Sequence, residues 1–180
     1  MKKFLSLLIS TLLISGCTSP TKVSAPGVVT SCDQIRLLES ANKSALMGCL
    51  DGPGEIDFHQ IKGPLLINVW GSWCEGCKQE MPYFVELYQN PLFKSGQIQM
   101  LGINVEEKSK EDAIDYIQKS GMSWPNLEDT SGISKSIFGP GVPVTLFIDE
   151  NGKTIDTKIG AYTNKKQLFN QVEQVFGIKL

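Results

Sequence analysis

The 180-residue chain has a single histidine, His59, in a polar stretch that suits a surface position better than a ligand role. A metal site would therefore have to rest on cysteine. A zinc ribbon needs two close cysteine pairs, and only Cys74 and Cys77 are close, since Cys32 and Cys49 lie far apart. Haem attachment needs a histidine after the second cysteine, and Lys78 stands there. The chain also lacks a basic excess: 17 Lys and Arg face 19 Asp and Glu, a net charge of −2, which offers no basic surface for nucleic acid. No internal repeat is present, and no apolar run is long enough to cross a bilayer comfortably. No metal and no cofactor is expected.

What is present begins with an export signal. Lys2 and Lys3 form a basic start, and Phe4 to Ile14 an apolar run of secretory-signal length. The run ends in Ile14-Ser15-Gly16-Cys17, which resembles a bacterial lipobox, so Cys17 is the expected lipidated N-terminus of the mature chain. Removing residues 1–16 takes Lys2 and Lys3 and no acid, leaving 15 basic against 19 acidic residues, a net of −4. Residues 17–31, rich in Ser, Thr, Pro and small side chains, read as a flexible tether. Residues 32–180 are long enough for one domain with a sizeable core.

In an exported chain the remaining cysteines fall into two pairs, Cys74 with Cys77 and Cys32 with Cys49. A structural disulfide suits Cys32 and Cys49. Two buried free thiols, or a second redox pair, are the alternatives.

Residues 32–45 place Ile35, Leu37, Leu38 and Ala41 at the spacing of a short amphipathic helix. Leu65 to Trp70 is nearly continuous apolar sequence, as for a central strand covered on both faces. A helix is expected from about Glu75 to Gln89, kinked at Pro82. Then come a strand over 98–105, a helix over 109–120 capped by Ser109, an extended segment over 124–127 and a short helix over 133–138. A hairpin at Asp149-Glu150-Asn151-Gly152 and a last helix from Asn164 complete the order. A βαβ half followed by a ββα half, with the cysteine pair after the first strand, is an α/β arrangement of the thioredoxin kind. The helix and short strand at 110–127 would be an insertion between the halves.

Cys74 and Cys77 stand where the apolar strand gives way to the helix. A helix start offers unpaired N–H groups and the positive end of the macrodipole, both of which favour thiolate over thiol. Cys74 is the candidate nucleophile, and Cys77, on the same helix face, can close a disulfide behind it. Glu80, one turn past Cys77, is either a buried carboxyl that shuttles the Cys77 proton or an ordinary exposed helical acid. Trp73 and Trp70 would shape the site, with plain core packing an equal reading for Trp70.

The run Asn68 to Cys77, with Glu80-Met81-Pro82, Gly139 to Pro143 and Leu146 to Gly152, resembles the TlpA/ResA-like branch of thioredoxin-fold proteins over residues 44–178. That resemblance implies a thioredoxin-like mixed sheet flanked by helices, with an N-terminal extension and an inserted helix plus short strand. It also implies a membrane-tethered thiol–disulfide oxidoreductase outside the cytoplasm, anchored in the bacterial cell envelope. Its partners would be exported cysteine-containing proteins, apocytochrome c among them, and a membrane dithiol that supplies or accepts electrons. Val142-Pro143 would be the cis bond facing the redox pair, with neighbouring backbone and Trp73 meeting the substrate. Asn68 stands where cytosolic thioredoxins carry a buried acid. The chain departs from the family at Gly76, where proline is usual; the added N–H favours the Cys74 thiolate and the charge of Glu75 opposes it. Reduction is preferred from the resemblance alone, with oxidation or isomerisation as the alternative. A redoxin-type peroxidase is a further reading, weakened by Gly71 where its pattern carries threonine.

Overall fold

A computed structural model describes residues 25–39 and 44–180. Cys17 and residues 1–16 lie outside the described residues. The strands are β1 (Leu46–Cys49), β2 (Glu55–Asp57), β3 (Leu65–Trp70), β4 (Gln99–Val105), β5 (Asn126–Asp129), β6 (Val144–Ile148) and β7 (Thr154–Ile159). The helices are α1 (Glu75–Tyr88), α2 (Pro91–Lys94), α3 (Lys110–Ser120), α4 (Ile133–Phe138) and α5 (Lys165–Phe176). One mixed sheet holds all seven strands in the order β2-β1-β5-β4-β3-β6-β7. No helix among the described residues is long and apolar enough to cross a membrane.

The apolar run of β3 explains its place. It pairs in parallel with β4 and antiparallel with β6, and all six of its residues are buried. Side chains alternate across a strand, so Leu66 and Trp70 enter the core under α1, α3 and α5, with Met81, Phe84, Ile117 and Leu168. Leu65, Ile67 and Val69 enter the opposite core with Phe58, Ile61 and Leu146. The halves β3-α1-β4 and β6-β7-α5 are the two expected from sequence, and α3 with β5 is inserted between them. The capping signals hold as well. The side chains of Ser109 and Asn164 accept from Asp112 N and Gln167 N at the starts of α3 and α5. Pro82 lies inside α1 without ending it.

The helix expected over residues 32–45 does not form over residues 32–39. Cys32–Gln34 is a single 3-10 turn, and the chain then runs extended, with Leu38 N donating to Gln60 O and Lys62 N to Arg36 O. Strand-like pairing to residues 60–62 and the Cys32–Cys49 disulfide override a weak helical pattern. Residues 25–30, within the stretch read as tether, lie on the body. Gly27 N donates to Gln118 O and Val28 N to Met122 O, so closely that a Cβ on Gly27 would sit 2.0 Å from Ile117 O.

Two stability predictions arise here. Cys32 and Cys49 are 17 residues apart in sequence and bonded, so replacing both by Ala is expected to cost about 3 kcal/mol by loop-closure entropy. Urea unfolding of the double variant checks it. Gly102 on β4 packs against Asn126, whose Oδ1 accepts from Trp70 Nε1 at 3.0 Å. A Cβ there would stand 1.8 Å from that oxygen, so Gly102→Ala should cost about 1–3 kcal/mol by overpacking. A lowered thermal midpoint is the expected result.

Candidate active site

Cys74 is the N-cap of α1, and its sulfur accepts from Cys77 N at 3.1 Å. The two cysteines form a disulfide with an S–S distance of 2.08 Å. Cys74 retains 5% exposure and Cys77 none, so an incoming sulfur or thiolate reaches Cys74 first. On reduction, the same N–H and the helix macrodipole face the Cys74 sulfur and stabilise its thiolate. The turn leading in is closed by Cys74 N donating to Gly71 O at 3.1 Å.

The Val142–Pro143 bond is cis. Pro143 faces the cysteine loop: a Cβ on Gly76 would lie 3.3 Å from Pro143 Cδ and 3.5 Å from Ala161 Cβ. The carbonyl of Pro143 accepts from Gly160 N. Val142 is half-buried, and its backbone groups have no hydrogen-bond partner among the described residues. Trp73 is 49% exposed, whereas Trp70 is fully buried in the core. The Trp73 indole folds back over Gly71, where a Cβ would meet its Nε1 at 2.7 Å.

Of the two readings of Glu80, the structure favours the buried one. The side chain is 2% exposed and shares a core cluster's helix, α1, with Cys77 and Met81. Its Oε2 accepts from Tyr162 N at 2.8 Å. Burial raises its pKa from 4.5 to about 7, against smaller lowering by the Tyr162 N–H and the Lys158 charge. Burial, with the negative charges of Glu80 and Glu75, also pushes Tyr116 up to about 12. Glu80 is thus a carboxyl able to take or give a proton near neutral pH, one turn from Cys77. Asn68 lies on the same face of β3 as Leu66 and Trp70, 1% exposed, with both amide atoms unpartnered among the described residues.

His59 is exposed beside Phe58. Cys32, Cys49 and Asp51 lie within 4.8 Å of one another. That set is one ligand short of a tetrahedral site, and its two sulfurs are already bonded to each other.

Sequence reasoning missed one residue at the site. Glu107, just past β4, accepts from Ser72 N at 2.5 Å and Ser72 Oγ at 2.7 Å, and from Asn104 Nδ2 at 2.9 Å. Ser72 and Glu107 are 35 residues apart, so no local spacing signals the contact.

The chain is similar to several known proteins. The chain is 31% identical over 112 residues to the thiol-disulfide oxidoreductase ResA of Geobacillus thermodenitrificans, covering 62% of each chain. It thus spans less than two thirds of that relative's length. Among solved structures it is similar to StoA from Bacillus subtilis, at 25% identity and a TM-score of 0.56, over 72% of this chain and 96% of that one. A secreted Mycobacterium tuberculosis disulfide oxidoreductase homologous to E. coli DsbE shares the fold, with a TM-score of 0.61 at 16% identity, over 80% of this chain and 99% of that one. The pattern of the AhpC/TSA family matches residues 41–165, most of the described domain, and the chain belongs to that family.

Proposed function

We propose that this chain is a thiol–disulfide oxidoreductase outside the cytoplasm, held to the membrane by a lipid on Cys17, that reduces disulfides of exported proteins. The observation that carries the reading is the Cys74 sulfur, held by Cys77 N–H at the start of α1 and faced by the Pro143 loop. In the reducing direction the Cys74 thiolate attacks one substrate sulfur, and the other leaves as a thiolate. Cys77 then loses its proton to Glu80 and attacks Cys74 Sγ, which releases the second substrate thiolate. Two electrons pass to the substrate, and the Cys74–Cys77 disulfide remains. A membrane dithiol would restore the reduced pair. The unpartnered backbone of Val142 can pair with an extended substrate segment, and the exposed Trp73 can cover it. Apocytochrome c is one candidate among exported substrates, as the resemblance of residues 44–178 to the TlpA/ResA-like branch implies.

The reduction potential of the Cys74–Cys77 pair tests the direction. A value near about −270 mV, as in thioredoxin, is expected, and one near about −120 mV, as in a strong oxidant, would reverse it. A second reading is a redoxin-type thiol peroxidase, because the broader redoxin family that such chains resemble contains peroxiredoxins. Gly71 stands where the peroxidase pattern carries threonine, so Cys77→Ala protein is expected to consume hydrogen peroxide no faster than a free thiol.

A further inference from the structure

We propose that Glu107 is a positioning residue, holding the turn before Cys74 through Ser72 and fixing a negative charge on that turn. This rests on the exchange reading of Cys74. Three donors from two separate elements converge on the one carboxylate: Ser72 N and Oγ from the loop after β3, and the buried Asn104 amide from β4. Ser72 and Glu107 are both half-buried, so water could satisfy either one. The Ser72–Glu107 contact is therefore not required to rescue a buried polar group, and what it fixes is position; the bond from the buried Asn104 amide anchors the carboxylate that makes it. Ser72 precedes Cys74 by two residues, a span of at most about 8 Å between Cα atoms. The same turn is tied to the sulfur-bearing residue by the Gly71–Cys74 hydrogen bond.

The backbone beside Glu107 is shaped for this contact. Glu106 has φ 54°, the one positive φ outside glycine among the described residues and a conformation disfavoured for L side chains. The resulting bend lets neighbouring acids serve different walls. Glu106 pairs with Lys135 on α4, which leads into the Gly139–Pro143 loop, while Glu107 holds Ser72 on the cysteine side. The short loop after β4 thus braces both sides of the gap in which Cys74 meets a substrate.

Charge and position can be separated by two substitutions. Glu107→Gln keeps an acceptor for Ser72 N but removes the negative charge, whereas Glu107→Ala removes both. The rate of iodoacetamide alkylation of Cys74 in reduced protein, followed by mass spectrometry from pH 4 to 9, reports the thiolate directly. With Glu107→Gln the midpoint is expected to fall by about half a unit to one unit, because a nearby anion no longer opposes the thiolate. With Glu107→Ala the midpoint should fall likewise, and insulin reduction should drop about tenfold as the turn loosens. Ser72→Ala should leave the midpoint within the shift of Glu107→Gln and lower turnover less than Glu107→Ala. A midpoint unmoved in both Glu107 variants, or Glu107→Ala turning over at the parental rate, would overturn the proposal. Alkylation is read on the thiol itself, so failure of the exchange reading would appear separately, as absent insulin reduction in the parental chain.

Discussion

Cys74→Ser is expected to lower disulfide exchange on the order of 10³-fold or more, while Cys77→Ala should stop the reaction halfway, with substrate still attached. The difference follows from exposure and from the helix start. Cys74 alone reaches the surface, and its sulfur alone receives the Cys77 N–H. A serine hydroxyl at 74 is no leaving group or nucleophile for a disulfide at neutral pH. Cys77, wholly buried behind it, acts only on a sulfur already bonded to Cys74. Alanine there leaves the first attack intact and removes the second. Non-reducing gels of Cys77→Ala protein mixed with an oxidised substrate should show a covalent adduct at the summed mass, and Cys74→Ser should show none. Adducts of equal yield from a Cys74→Ser variant would assign the attack to Cys77 instead.

Glu80→Gln is expected to remove a pH dependence from stability and to slow the resolving step. The folded carboxyl keeps its proton up to about pH 7, whereas the unfolded one releases it near 4.5. Between those values the folded state binds more protons, so stability falls as pH rises from about 4.5 to 7 and levels off above. The size of the fall is on the order of 3 kcal/mol. Glutamine carries no charge to bury and can still accept from Tyr162 N through its amide oxygen. The variant should therefore gain urea resistance over the parent at pH 8 and differ little at pH 4. Its mixed disulfide should resolve more slowly around pH 7, because the proton of Cys77 has lost its acceptor. Equal urea midpoints of parent and variant at pH 8 would contradict the burial of a charged Glu80.

The sequence carried the parts of this molecule that depend on local pattern. The apolar run 65–70 specified a two-sided strand, and the cysteine spacing at its end located the helix start. Ser109 and Asn164 marked helix starts because their side chains satisfy N–H groups a few residues on. The stretch after Cys32 misled for the opposite reason: its helical spacing is weak, and contacts with residues 60–62 decided its shape. Two features had no local trace. Asn126 reaches Trp70 across 56 residues, and Glu107 reaches Ser72 across 35, so each pair is made only when β4 and β5 are laid beside β3. Helix spacing alone leaves Glu80 either buried or exposed, and Tyr162, 82 residues on, explains its place.

The most direct test is a single-turnover exchange. Protein whose Cys74–Cys77 pair has been reduced, with Cys32–Cys49 left oxidised, is mixed with excess insulin, and each cysteine is then mapped by differential alkylation. The expected result is one insulin disulfide reduced per chain, Cys74 and Cys77 oxidised together, and Cys32–Cys49 unchanged throughout. Electrons arriving at insulin while Cys74 and Cys77 stay reduced, or with Cys32 and Cys49 changing state, would contradict the account.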